Sequence, residues 1–454
     1  MKHVLVMGAG MVARPAVTYL LGRGDLTVTV TDVDGARAQA LVAGSQRGTA
    51  LAVDARDLST VEPLLKDCDI CVSLLPSPFE PGVWKLALAN GKHFVSASPR
   101  RDAGLEGADE VVRAAGLTFL PETGLDPGLD HMIIARMRDG IQRRGGIVTS
   151  CSSYCGGLPA PEAATNPLNY KFSWNPIGVL HAARESARYL ENEREVVLPG
   201  DQLFTRHWFV SVPGFGELEA HYNRDAIPYI GIYGLHGVQN MLRATLRYAG
   251  WSHALGKLGR LGYLDMTVMD APPATYADLT RRLSGAPAQA ELVPALARAL
   301  DVDPRSDAIT CITWLGLTGA DPIVWDAEQP HTPLEALANK MREKLMFAGG
   351  ERDVCVMQNE LEARYPSGEQ QRWTSTLLAY GEPGGDSGMA RTVGLTAAIA
   401  AALILDGRIT DRGVLLPVTA AIYDPVLEEL EEFGIAFKEG TETLPTADGS
   451  EVSA

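Results

Sequence analysis

The densest group of reactive side chains is Glu122-Thr-Gly-Leu-Asp126-Pro-Gly-Leu-Asp130-His131, between an apolar strand-like run at 117–121 and a helix-like run at 132–138. Asp126 has the chemistry to orient an amine or take its proton, and His131 titrates in the range a proton carrier needs. Two glycines and a proline mark the stretch as a loop. Loops beyond the carboxyl ends of strands are where open α/β sheets hold ligands. A structural reading fits the same residues. Asp126 or Asp130 can cap the helix that follows, and His131 falls far enough into that helix to serve as a buried hydrogen-bonding group.

A second group points to a dinucleotide. Residues 3–7 form an apolar strand leading into Gly8-Ala9-Gly10-Met11-Val12-Ala13, which opens a helical pattern over 12–21. Gly8 permits the tight turn, Gly10 lets backbone approach a pyrophosphate, and small Ala13 lets helix and strand pack closely. Asp32 ends the next strand about twenty residues on, where a carboxylate accepts ribose hydroxyls and repels a 2′-phosphate. The expectation is NAD in preference to NADP, with Arg37 near enough to admit NADP. Met11 and Val12 complete the loop. Leu75, Ser96 and Ala97, where strands 69–75 and 93–96 end, extend the cofactor track, and Ser98 follows beside the place for a nicotinamide ring.

These residues need a scaffold, and the pattern supplies one. Helices at 34–42, 59–66, 81–90 and 107–115 alternate with strands at 50–53, 69–75 and 93–96. Such alternation predicts an α/β Rossmann domain, a doubly wound parallel sheet. From residue 146 the period changes. Residues 148–154 alternate like a strand that breaks at 155–161, and 203–210 and 310–317 look like further strands with few crossover helices. That suggests an α+β substrate domain with a mixed or antiparallel sheet. Helical runs at 238–248, 253–261, 276–283 and 292–300 suggest a small helical insertion. Thr332-Pro-Leu-Glu335 is a capping box opening a helix to Phe347, 373–380 a strand, and 389–405 a small-residue helix suited to pack back on the first sheet. The expected division is 1–124 with 388–437 for the dinucleotide, and 125–237 with 301–387 for substrate and dimerisation. Residues 238–300 form the insertion and 438–454 a flexible tail.

Composition excludes some partners. The chain of 454 residues is 46% hydrophobic and 21% charged, with a net charge of −16. That charge argues against a nucleic acid or an anionic membrane as partner. The run 395–405 is about half of the roughly 20 residues a spanning helix needs. The start of the chain enters a strand with no leader pattern, which suggests a cytoplasmic protein. Six cysteines show neither a disulfide framework nor metal-ligand spacing, and Cys68 and Cys71 sit inside a strand pattern.

Residues 124–131, Gly-Leu-Asp-Pro-Gly-Leu-Asp-His, resemble the signature of the L-glutamate-forming saccharopine dehydrogenase family. Segments 153–162, 166–174, 223–225, 245–248, 350–353 and 413–417 fit it in order, so the resemblance runs from residue 3 to about 437. It implies NAD(P)-dependent cleavage of saccharopine, with water, to L-glutamate and α-aminoadipate semialdehyde; a fold of this type, which usually buries an apolar edge between subunits, leads us to expect a homodimer. Asp32 makes the chain look more like the NAD-using, lysine-degrading members. The resemblance implies that Arg224 and Arg247 fork onto substrate carboxylates, with Thr245 beside them. It implies too that Asp126 orients the amine or acts as base, and that Ser98 and Cys155 line the pocket. Each arginine also suits a surface or interface ion pair, and Cys155 a core position. Lys171 suits a substrate carboxylate or Glu162. The chain departs from the family at Ser98-Pro99, where members carry Ser-Tyr, at Ala244, where they carry Gly, and at Asp386-Ser387-Gly388. The lost tyrosine leaves the preferred amino acid more open than the reaction type. One rival is a dehydrogenase of another N-carboxyalkyl amino acid or a carboxylated polyamine. A polyamine would call for acidic residues in place of Arg224 and Arg247. The other rival, a non-catalytic NAD-binding regulator, is disfavoured by the retention of Asp126, Arg224 and Arg247.

Overall fold

A computed structural model describes residues 1–326 and 330–445. One compact unit holds Met1–Thr149, Ile232–Leu235 and the chain from Asn359 onward; the other holds Ser150–Gly231 and His236–Gln358.

The first unit opens with β1 (Lys2–Met7), α1 (Ala13–Gly22), β2 (Leu26–Asp32), α2 (Gly35–Val42), β3 (Gly48–Ala52) and α3 (Leu58–Asp67). It continues with β4 (Ile70–Ser73), α4 (Glu80–Ala89), β5 (His93–Ser96), α5 (Asp109–Ala114), β6 (Thr118–Leu120) and α6 (Leu129–Arg143). The strands are parallel and ordered β6-β5-β4-β1-β2-β3. Val4–Met7 and Ile70–Ser73 are buried throughout, as expected of strands covered on both faces. Strand order reverses between β4 and β1, which opens the crevice where such sheets take ligands. Asp34 and Asp57 start α2 and α3 by accepting the amide protons of Ala36 and Ser59. At α6 the cap position is Gly128, whose N–H Asp130 accepts at 2.6 Å.

The second unit takes up β7 (Ile147–Pro159) at Ser150, then α7 (Pro176–Ala182), β8 (Ala187–Glu191), β9 (Arg194–Leu198), β10 (His207–Val212) and β11 (Gly216–Tyr222). There follow α8 (Pro228–Ile232), β12 (Asn240–Arg247), α9 (Trp251–Leu261), α10 (Tyr276–Ser284), α11 (Leu292–Leu300), α12 (Asp307–Trp314) and α13 (Pro333–Lys344). Its sheet is mixed: β12 runs parallel to β7 and antiparallel to β11, and β10 pairs antiparallel with β11. The break expected at 155–161 comes only after Pro159. β7 passes straight through Gly156, where a side chain would stand 2.6 Å from the carbonyl of Leu246.

Four expectations change here. Residues 238–248 carry good helix formers, yet 240–247 are strand β12, because β7 and β11 claim its two edges. Tertiary pairing outweighs intrinsic propensity. Residues 310–317 have β-branched side chains that mimic a strand, but Ala308, Ile309, Cys311, Ile312 and Leu315 are buried at helical spacing, and α12 forms. The segment 203–210 is divided between a 3₁₀ turn (Gly200–Thr205) and β10. The helices after β12 do not stand apart. Trp251, Leu255 and Leu296 share one core with Tyr170, Phe172 and Leu337. Thr332 caps α13 by accepting the amide proton of Glu335.

The chain re-enters the first unit within β13 (Asp353–Arg364) and continues as β14 (Gln370–Tyr380), α14 (Gly388–Ala390), a π turn (Arg391–Leu395) and α15 (Thr396–Leu405). Then come β15 (Gly413–Val414), α16 (Ala420–Glu432) and β16 (Lys438–Leu444). β15 extends the parallel sheet beside β6. Gly388–Leu405 is apolar and long enough to cross a membrane, but 89% of it is buried, and packing against α1, α16, β4 and β5 accounts for its composition. Gly394 lies against α1 so closely that a Cβ would be 2.3 Å from the carbonyl of Val12. Residues 438–444, expected to be part of a tail, form an edge strand antiparallel to β14. Its Lys-Glu-Gly-Thr-Glu-Thr sequence is held by backbone pairing and buries little, so no hydrophobic period marks it. The remainder of that segment, 446–454, lies outside the described residues.

Candidate functional site

The glycine loop has the shape a pyrophosphate requires. Gly8 adopts φ +101° with its missing Cβ 2.9 Å from the carbonyl of Leu74, so no side chain fits there. At Gly10 nothing lies within 4 Å of a Cβ position, which leaves the backbone open to a ligand. Val12, at the N-cap of α1, supplies no side-chain cap and the first turn holds no acid. The helix terminus thus keeps its attraction for an anion. Ala13 is fully buried, Met11 is half exposed, and Leu75 and Ala97 are half-buried at the strand ends beside buried Ser96.

Asp32 faces inward to this loop. One carboxylate oxygen accepts the N–H of Ala9 at 2.8 Å and the other the N–H of Asp34 at 2.9 Å. It therefore braces the glycine turn. Arg37 lies on the surface nearby, paired with Asp34 at 3.3 Å.

Backbone bonds stitch together the loops that follow β5 and β6. Thr123 N–H donates to Ser96 O at 2.9 Å, Glu122 N–H to Ser98 O at 3.1 Å, and Arg100 N–H to Glu122 Oε1 at 2.8 Å. Ser98 and half-buried Asp126 thereby share the carboxyl edge of the sheet. His131 is buried inside α6, with Nε2 2.8 Å from Glu122 Oε2 and Nδ1 2.6 Å from the hydroxyl of Tyr233. Its geometry is that of a structural bridge.

Glu80, absent from the sequence-derived site, is a further polar centre. It is fully buried at the start of α4, and its Oε1 accepts the hydroxyls of Ser73 (2.8 Å), Ser96 (2.6 Å) and Ser98 (3.0 Å). Burial pushes its carboxyl up to about 7, against the three hydroxyls that lower it. The signal in the sequence was a lone acid flanked by prolines in an otherwise apolar helix start, Phe79-Glu-Pro-Gly-Val.

In the second unit the polar face of β12 carries the cations. Arg243, Thr245 and Arg247 alternate onto one face, with Ser153 and Cys155 of β7 and Glu219 and His221 of β11 opposite them in register. Arg247 is buried, its guanidinium 4.9 Å from the ring centroid of Tyr170 and 5.2 Å from that of Trp251. One nitrogen donates to Leu246 O at 2.8 Å, Nε has no partner, and among the described residues no carboxylate pairs with it. Desolvation holds its pKa below the ordinary arginine value. His221 is likewise buried, and desolvation, reinforced by Arg247, pushes it down to about 3. Glu219 is occupied by the N–H groups of Gly250 and Ser252 at the start of α9. Arg243 packs 4.5 Å from the ring of Tyr229. It was missed because a helical reading of 238–248 hides a stripe of period two.

Other expected residues have partners already. Arg224, at φ +54°, pairs with Glu185 at 3.2 Å and is 40% exposed, so it is a compensated surface cation where Arg247 is an uncompensated buried one. Lys171 pairs with Glu351, while Glu162 pairs with Arg352. Cys155 is buried on β7 beside half-buried Thr245. Among the described residues no cluster of three or more His, Cys, Asp or Glu could hold a metal.

Comparison with known proteins covers nearly the whole chain. Residues 4–120 match the family model described as saccharopine dehydrogenase NADP binding domain, and 124–435 the saccharopine dehydrogenase C-terminal domain. The chain is 35% identical to saccharopine dehydrogenase [NADP(+), L-glutamate-forming] of Saccharomyces cerevisiae, covering 97% of this chain and 99% of that protein. It is 35% identical to the mitochondrial α-aminoadipic semialdehyde synthase of Bos taurus, covering 96% of this chain and 47% of that protein. A solved structure of the S. cerevisiae L-Glu-forming saccharopine dehydrogenase, in its apo form, superposes with a TM-score of 0.87 at 32% identity, covering 97% of this chain and all of that one.

The expected preference for NAD does not stand. The matched dinucleotide domain and the yeast relative are both described as NADP proteins. Asp32 in this structure also braces the loop, accepting the amide protons of Ala9 and Asp34.

Proposed function

The chain belongs to the saccharopine dehydrogenase family, and we propose that it cleaves saccharopine oxidatively, using NADP and water, to L-glutamate and α-aminoadipate semialdehyde in lysine metabolism. The observation that carries this reading is Arg247, a buried guanidinium that has no carboxylate partner among the described residues. A buried cation left unpaired is costly, and a substrate bearing three carboxylates supplies the missing partner. A planar fork over aromatic rings suits bidentate capture of one of them. Thr245 adds a hydroxyl on the same strand face.

Gly8, Gly10 and Ala13 make the cradle for the cofactor's pyrophosphate, and Arg37 is the cation placed for a 2′-phosphate. When bound, the cofactor supplies the hydride acceptor for the carbon next to the substrate nitrogen. The protein must hold that carbon, carry away the amine's proton and admit water. Asp126, on the carboxyl edge with Ser98, is the group we assign to orienting the amine.

The test is NADPH formation followed by absorbance with saccharopine, with NADP and NAD compared and L-glutamate assayed as product. Turnover with NADP favoured is the expected result. Absence of saccharopine-dependent reduction with either cofactor overturns the reading.

A further inference from the structure

We infer that Glu80 is a positioning residue that makes Ser98 a hydrogen-bond acceptor for the substrate amine and, through Ser98, receives the amine's proton. The inference rests on the saccharopine reading above and adds the proton acceptor which that reading lacks.

Three hydroxyls converge on one oxygen of Glu80. Ser73 ends β4, Ser96 ends β5, and Ser98 lies just past it. All three lie at the carboxyl edge, and β4 borders the reversal of strand order. A hydroxyl has one hydrogen to give. Ser96 gives its hydrogen to Glu80 and accepts the N–H of Ser98 at 2.9 Å. Ser98 gives its hydrogen to Glu80 and keeps only lone pairs for a ligand. Ser73 and Ser96 are fully buried, whereas Ser98 is only half-buried. Ser98 is therefore the member of the cluster that reaches a ligand, and it meets that ligand as an acceptor. An amine N–H is the partner it fits.

The other carboxylate oxygen of Glu80 is buried with no hydrogen-bond partner, so the anion is only half satisfied. Among the described residues no cation pairs with Glu80. The other titratable group facing it is the buried thiol of Cys71, which its charge helps push up. On α3, packed against α4, the Glu62–Lys66 pair is turned to solvent, at 42% and 57% exposure. A buried carboxylate without a cation is ready to take a proton, and its value of about 7 agrees.

The transfer balances. A substrate ammonium gives one proton to Ser98 Oγ as the Ser98 hydroxyl proton moves to Glu80 Oε1. The ammonium becomes a free amine whose lone pair can assist hydride loss from the adjacent carbon. The carboxylate becomes a carboxylic acid, and Ser98 is unchanged.

The test is the pH profile of kcat/KM for saccharopine in the wild type, Glu80→Gln, Glu80→Asp and Ser98→Ala. The wild-type profile is expected to rise with pH through a group near 7. Glu80→Gln should lose that limb and fall about 100-fold in kcat, with the KM for NADP little changed; Glu80→Asp should restore part of the rate and keep the limb. A limb that survives in Glu80→Gln overturns the inference. If Glu80→Gln does not fold, Ser98→Ala decides: loss of the limb supports the relay and an unchanged limb overturns it. A wild type without turnover sinks the functional reading and the relay together, whereas turnover with an unmoved limb sinks the relay alone.

Discussion

Nε2 of His131 lies 2.8 Å from Oε2 of Glu122, and neither side chain meets solvent to any extent. The contact ties the second residue after the β6 strand end to the first turns of α6, and Tyr233 closes the other side of the ring at 2.6 Å. Glu122 holds φ +56°, an unusual conformation that these bonds help maintain. His131→Ala would remove one contact of the buried Glu122 carboxylate and lose two hydrogen bonds. The expected cost is roughly 2–4 kcal/mol of folding stability, measured by urea unfolding. A midpoint equal to wild type would show that the bridge holds nothing.

Arg247 should behave in the opposite way. Its buried, unpaired charge weakens the ligand-free protein, so Arg247→Met should raise Tm slightly, by about 1–2 kcal/mol in stability. The same change should raise the saccharopine KM about 100-fold. Arg247→Lys should recover little, because an ammonium cannot fork onto a carboxylate. A KM that stays at its wild-type value in Arg247→Met would remove this residue from the substrate site.

Cofactor choice separates the roles of Arg37 and Asp32. Arg37→Ala should raise the KM for NADP about tenfold, through loss of a charge-assisted bond, and leave that for NAD alone. Asp32→Ala should weaken both cofactors, because the brace on Ala9 is lost. Equal effects of Arg37→Ala on both cofactors would end the assignment.

Glu80 also ties stability to pH. Its folded value, about 7, lies above the ordinary 4.5, so the native state binds the proton more tightly than the unfolded chain does. Its favourable contribution is complete below pH 4.5 and is lost as pH rises toward 7. At 1.36 kcal/mol per unit the loss is about 3 kcal/mol. Glu80→Gln should therefore be more stable than wild type at pH 8, with the difference vanishing near pH 4. A stability difference that does not vary with pH would contradict this.

Much of the first unit was legible from residue order alone. Periods of two and 3.6, glycines at Gly8 and Gly10 and small Ala13 are local features, and each constrains the backbone within a few residues. The long motif around Asp126 placed a loop at a strand end for the same reason, and the motifs spread along the chain pointed to the family. What the sequence could not decide were matters of partner. Residues 240–247 became a strand because β7 and β11 flank them, which revealed the stripe of Arg243, Thr245 and Arg247. Residues 438–444 became an edge strand through backbone bonds to β14, which no side-chain pattern announces. Asp32 found the amide of Ala9, Arg224 found Glu185, and Arg247 found aromatic faces and a backbone carbonyl. Residue type determined which charges were available. Only folding decided which of them were compensated, because a charge's partner and its distance from water depend on segments far away along the chain.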